Sequence, residues 1–194
     1  GNLLGDEQSG HIREVGVELY QKMLEEAVAE ARGLDGSAGV DEEWSPQIGL
    51  GTSVLIPERY VTDLNVRMEL YRRLSRLVLA QEIESFAAEL IDRFGALPDE
   101  VENLLAVVEV KQLSKRAGVE KVDAGKKGAV ISFRNNEFAN PEGLVTLISD
   151  QVGTMKLRPD HKLVFKRSWE SPKERLLGVR SLMQDIAKVA ETVL

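Results

Sequence analysis

Residues 99–133, DEVENLLAVVEVKQLSKRAGVEKVDAGKKGAVISF, change their period once, at Gly118. Ahead of that glycine the stretch reads as a helix. Pro98 suits its first turn, Asp99 and Glu100 favour the positive end of the helix dipole, and Gly118 supplies the stop near Ala117. Beyond it the pattern becomes two-residue. Ala129, Ile131 and Phe133 alternate with Val130, Ser132 and Arg134, and residues 119–123 and 128–134 read as two strands around the turn Ala124-Gly125-Lys126-Lys127. A helix giving way to a hairpin sets the class as α+β: a helical segment over about 60–117, then a small antiparallel sheet with packed helices.

The same reading extends upstream. Residues 81–94 form an amphipathic helix with Ile83, Phe86, Ala87, Leu90, Ile91 and Phe94 as its apolar stripe and Gly95 as its end. Thr62 or Asp63 caps a preceding helix that runs to about Leu79, with Leu64, Met68, Tyr71, Leu74 and Val78 inward. Gln47–Ile56 reads as one strand closed by Pro57, more firmly over Thr52–Ile56 than at Gly49 and Gly51. Residues 10–32 read as a helix of their own, and 33–46, GLDGSAGVDEEWSP, have linker composition. The expected organisation is therefore a helix from a preceding domain (1–32), a linker (33–46) and a terminal domain (47–194). Downstream, Asn140-Pro141 opens a short helix ending near Gly153. Residues 154–158 and 162–167 form another hairpin. Ser171-Pro172-Lys173-Glu174 is a capping box opening a helix over 172–193.

The 194 residues carry 25 Lys+Arg against 32 Asp+Glu, a net charge of -7. Residues 118–194 hold 13 basic and 10 acidic groups, so the acidity sits in the N-terminal quarter. This balance disfavours a dedicated nucleic-acid binder. Hydrophobic residues, 43% of the chain, suffice for a core. Cys is absent, which excludes disulfides, thiolate metal sites and Cys nucleophiles and fits a cytoplasmic protein. No apolar run is long enough for a membrane helix, and residues 1–10 lack a secretory leader's apolar stretch.

Catalytic motifs are missing. Gly125–Gly128 lacks the leading glycine and the hydroxyl of a phosphate loop and reads as a hairpin turn. Gly49-Leu50-Gly51 is only a fragment of a dinucleotide fingerprint. His11 and His161 lie in no metal-ligand spacing and read as solvated or capping residues. No serine has a nucleophile-elbow context. Neither a metal site nor a cofactor is indicated, and a stand-alone enzyme has no supporting motif.

Two charged groups stand out. Arg72, Arg73 and Arg76 crowd one helix; they read either as a solvated face with Glu69 as local partner or as a basic patch for nucleic acid. On helix 81–94, Glu82, Ser85, Glu89 and Asp92 lie opposite the apolar stripe, with Arg93 at their border. Glu89 and Asp92, three residues apart, project together. Solubility is the plain reading of this face, and an acidic docking patch for a basic surface is the sharper one. Lys162, Lys166 and Arg167 with Phe165 and Trp169 resemble a basic-aromatic strip, but alternation places Leu163 and Phe165 on one face, as core.

Several stretches resemble the C-terminal region of bacterial transcription-repair coupling factors. GNLLGDEQSGHIREVGVELYQKMLEEAV is similar to the end of that family's second motor lobe. Pro57-Glu58-Arg59-Tyr60-Val61 with Asp63, Asn65 and Arg67, then MELYRRL (68–74), resembles the start of its terminal domain. AELIDRFGALPDEVENLL (88–105) is the most specific match, and KGAVISF (127–133) follows in place. The resemblance implies a domain with no enzymatic role that docks on the UvrB-like N-terminal module of the same protein. There it would mask the surface that UvrA uses and restrain the motor. It places Glu89 and Asp92, with Arg93 beside them, at that interdomain contact. It implies no cofactor for this segment; ATP, RNA polymerase and DNA belong to the intact protein. The alternative is an accessory domain that contacts nucleic acid.

Overall fold

The computed structural model describes residues 44–52, 54–151 and 153–192. The expected helix at 10–32, His11 and most of the 33–46 linker lie outside the described residues. The chain divides into two compact units, one containing residues 54–105 and the other residues 44–52 and 106–192.

The first unit is helical. A loop over 54–63 leads to α1 (Leu64–Arg76), α2 (Ala80–Phe94) and the opening of α3 (Asp99–Ala117). The Asp63 carboxylate accepts from the Val66 amide at 3.1 Å and caps α1. α1 ends at Arg76 and not at Leu79, because Leu77 turns to extended backbone. The Glu82 carboxylate takes the amides of Val78 and Leu79 and thereby starts α2. Gly95, at φ 95°, ends that helix as expected. Leu70, Tyr71, Leu74, Ile83, Phe86, Leu90, Val101 and Leu104 make up the buried core of this unit. The loop is pinned to this core by polar atoms. The Ile56 amide donates to the Tyr71 hydroxyl at 2.7 Å, and Arg67 donates to the carbonyls of Val61 and Thr62. The Tyr60 hydroxyl lies 3.0 and 2.7 Å from the carbonyls of Leu90 and Gly95. Three expected stripe residues turn outward: Leu64, Val78 and Ile91 are each at least half exposed.

The second unit is a five-stranded mixed sheet with helices. Its strands are β1 (Gln47–Gly49), β2 (Val119–Gly125), β3 (Gly128–Phe133), β4 (Met155–Leu157) and β5 (Leu163–Lys166), in the order β1-β2-β3-β5-β4. The four later strands pair antiparallel, as the sequence indicates, whereas β1 joins the edge of β2 in parallel. Among the described residues, the expected strand over 47–56 survives only in its first three, Gln47–Gly49. Two features end it: Gly51 adopts φ +63°, and the Leu50 carbonyl accepts from the buried Arg175 guanidinium at 2.7 Å instead of from a neighbouring strand. α4 (Pro141–Asp150) packs against β4 and against α5 (Pro172–Glu191), which also lies on β2. Val122, Ile131, Leu163, Val179, Met183 and Ile186 are completely buried. Side-chain caps order these helices. Ser171 and Glu174 form the capping box of α5, and Asn140 caps α4 while donating to the carbonyls of Val189 and Thr192 at the far end of α5. Gly128 admits no other residue. Its φ is +128°, and a Cβ there would lie 1.9 Å from the Phe165 carbonyl oxygen.

Candidate docking surface

The charged residues that the sequence singles out in the first unit fall around α2. Ile83, Phe86 and Leu90 are the buried residues of α2, and Glu89 lies beside them on its polar flank. From α1, Arg73 reaches the Glu89 carboxylate with both terminal nitrogens, Nη1 to Oε2 at 2.6 Å and Nη2 to Oε1 at 2.7 Å. Arg93, one turn beyond Glu89, donates to the same Oε2 at 3.0 Å. Glu89 therefore sits between two guanidiniums. The Arg73 hydrogen bonds, and secondarily those of Arg93, pull its carboxyl down to about 2. Each guanidinium also covers an aromatic ring, Arg73 over Phe86 at 5.1 Å and Arg93 over Phe94 at 4.8 Å.

Asp92 is exposed and has no hydrogen-bond or ion-pair partner among the described residues. Arg72 lies 3.7 Å from Glu69, its helical neighbour, and Arg76 is exposed. The three arginines of α1 thus do not form one basic patch. One makes a local pair, one is committed across to α2, and one faces water. The sequence reading missed the Arg73–Glu89 link, for which no local spacing rule exists; the two residues meet only because α1 and α2 pack. In chemical terms the surface offers fixed mixed charge: a carboxylate neutralised by two cations, a second carboxylate free beside it, and Ile91 half exposed on the same helix.

His161 stands exposed at φ 67° in the turn between β4 and β5, consistent with the solvated role read from the sequence. Among the described residues no group of three His, Asp or Glu side chains is placed to hold a metal ion. No described helix is long and apolar enough to cross a membrane.

Comparison with known proteins gives one answer from three directions. The TRCF domain family matches residues 50–144. The transcription-repair-coupling factor of Rickettsia bellii is 45% identical over 166 residues, covering 85% of this chain and 14% of the relative. That of Escherichia coli K12 is 32% identical over 191 residues, 98% of this chain and 17% of the relative. A crystal structure of the C-terminal domain of transcription-repair coupling factor aligns with a TM-score of 0.65 at 22% identity, covering 80% of this chain and all of that one. The fold is therefore shared with that domain, and the chain spans about a sixth of the length of its curated relatives. On the family match, the long alignments and the shared α+β fold, this chain belongs to the transcription-repair-coupling factor family, carrying its TRCF domain.

Proposed function

We propose that this chain is a regulatory docking domain without a catalytic role. It binds the UvrB-like N-terminal module of the same protein, occupies the surface that UvrA needs, and restrains the motor until RNA polymerase is engaged. The observation that carries this reading is the charged face of α2. Asp92 is free, Arg93 is held by Glu89, and Glu89 is braced by Arg73, so the charges are fixed before any partner arrives. Preorganised charge lowers the ordering cost of binding and gives specificity more than raw affinity. Partly exposed pairs contribute about 0.2–1 kcal/mol each. Several together reach the ~1–3 kcal/mol typical of a regulatory coupling. An interface of that strength holds a tethered domain and still lets it go.

The test is a calorimetric titration of this chain against the UvrB-like module, with and without UvrA. Saturable binding that UvrA competes away, and that Asp92→Ala with Glu89→Ala weakens, is the expected result. No binding near the millimolar effective concentration that a tether supplies refutes the reading.

A further inference from the structure

The sheet of the second unit has a second face, and its charge is of one sign where β4 and β5 meet. Antiparallel alternation sends Leu163, Phe165 and Met155 into the core and Val164, Lys166 and Lys156 to the opposite side. Lys162, one residue ahead of β5, continues that row, and its carbonyl accepts from the Arg158 amide. Lys156 and Lys166 are exposed, and Lys162 is half-buried. Lys166 lies level with Gly128, so the turn that carries Lys126 and Lys127 adjoins the same end of the face. None of these five lysines has a carboxylate within ion-pair distance among the described residues. The nearby acid, Asp160, is engaged by Arg158. Asp123 shares this face, level with Val130, but it lies on β2, two strands from β5, as does Glu120.

We infer that this lysine face binds the phosphate backbone of double-stranded nucleic acid without reading its sequence. Lys166 on β5 and Lys162 just ahead of it are four residues apart, roughly 13 Å of extended chain, and Lys156 lies about 4.8 Å away on the next strand, level with Val164 at the midpoint between them. With one phosphate per ~3.4 Å of each DNA strand, that span covers about four phosphates. The floor between the lysines is Val130 and Val164, both half-buried, and it offers no ring to stack a base. Phe165 and Trp169, the aromatic residues nearby, are 7% and 6% exposed. A single strand, which binds largely through stacking, therefore finds no platform here. Ammonium groups are compact point charges that suit phosphates in any orientation, whereas carboxylates on a protein partner are matched better by arginine's fork. The surface lies wholly within the second unit and does not depend on the docking role of α2.

The experiment is fluorescence anisotropy of the whole chain with a labelled 20-base-pair duplex of random sequence at 50 and 200 mM KCl. Three phosphate contacts predict a loss of about 40-fold in affinity across that salt range. The triple variant Lys156→Gln, Lys162→Gln, Lys166→Gln should bind at least tenfold more weakly at 50 mM with unchanged thermal unfolding. Arg72→Gln with Arg76→Gln, in the first unit, should leave binding intact. The inference is overturned by no binding at 100 μM protein and 50 mM salt, or by equal binding of the triple variant. It is equally overturned by tighter binding to a single strand of the same length or to a polyglutamate peptide.

Discussion

Replacing Glu89 by Gln removes the charge that joins α1 to α2 and keeps its shape. In the structure that carboxylate receives two hydrogen bonds from Arg73, at 2.6 and 2.7 Å, and one from Arg93 at 3.0 Å. The three side chains are 36%, 37% and 43% exposed, so solvent screens them and the values of buried triads do not apply. The bidentate Arg73 pair belongs at the upper end of exposed pairs, about 1 kcal/mol, with a few tenths more from the i,i+4 contact to Arg93. A double-mutant cycle of Glu89→Gln and Arg73→Met isolates the first term, since Met keeps an apolar stem over Phe86. Urea unfolding followed by far-UV circular dichroism should give a coupling of about 1 kcal/mol, falling by roughly half in 0.5 M salt. The pH dependence has a definite sign. Glu89 is pulled from an ordinary 4.5 to about 2, mainly by Arg73, so its folded pKa lies below its unfolded one. The contribution is complete above about pH 4.5 and disappears as pH falls toward 2, where wild type and Glu89→Gln should converge. A coupling below about 0.2 kcal/mol, or a difference that persists unchanged from pH 5 to pH 3, would refute the reasoning.

Three further substitutions test the second unit. Gly128→Ala combines a φ of +128° with a Cβ 1.9 Å from the Phe165 carbonyl, and it should cost more than about 3 kcal/mol or abolish folding of the sheet. Trp169 emission reports this loss, and a native spectrum with native stability counts against the geometry. Gly178→Ala sets two effects in opposition. Alanine favours a helix interior by about 1 kcal/mol. Its Cβ would, however, meet the Trp169 indole at 2.5 Å, so overpacking should win by about 1–3 kcal/mol, and a rise in melting temperature would show that it does not. Asn140→Ala removes the cap of α4 together with two hydrogen bonds to the end of α5; a loss of about 1–2 kcal/mol in chemical denaturation is expected, with faster amide exchange at the first turn of α4.

The elements that the sequence reveals are those specified by neighbours in the chain. The change of period at Gly118, the Asp63 cap, the Ser171–Glu174 box and the Gly125–Gly128 turn all rest on residues within a few positions of one another, and all are found in place. What the sequence hides is decided at long range. Residues 50–56 have strand composition, yet the Leu50 carbonyl is claimed by Arg175, 125 residues away, and Gly51 turns the chain aside. Helical periodicity aims Leu64, Val78 and Ile91 inward, yet α1 stops at Arg76 before it reaches Val78, and Leu64 and Ile91 are each at least half exposed. The charged site follows the same rule. Periodicity groups Glu89 with Asp92, but only packing of α1 on α2 shows that Glu89 is already spoken for by Arg73 while Asp92 is free.

That distinction separates the two surfaces by a single variable, salt. Around α2 positive and negative groups are interleaved and already neutralise one another, so a partner meeting that face displaces few condensed ions. Its affinity should fall only a few-fold between 50 and 200 mM salt, by screening alone. The lysine face meets a polyanion whose counterions must leave, and its loss over the same range is larger by an order of magnitude. Asp92→Asn should therefore weaken binding to the UvrB-like module at both salt concentrations by a similar factor and leave duplex binding untouched. Lys156→Gln should do the reverse, and it should flatten the logarithmic salt slope by about one. If either substitution moves both activities together, the two surfaces are not independent, and the charge assignment of one unit or the other is wrong.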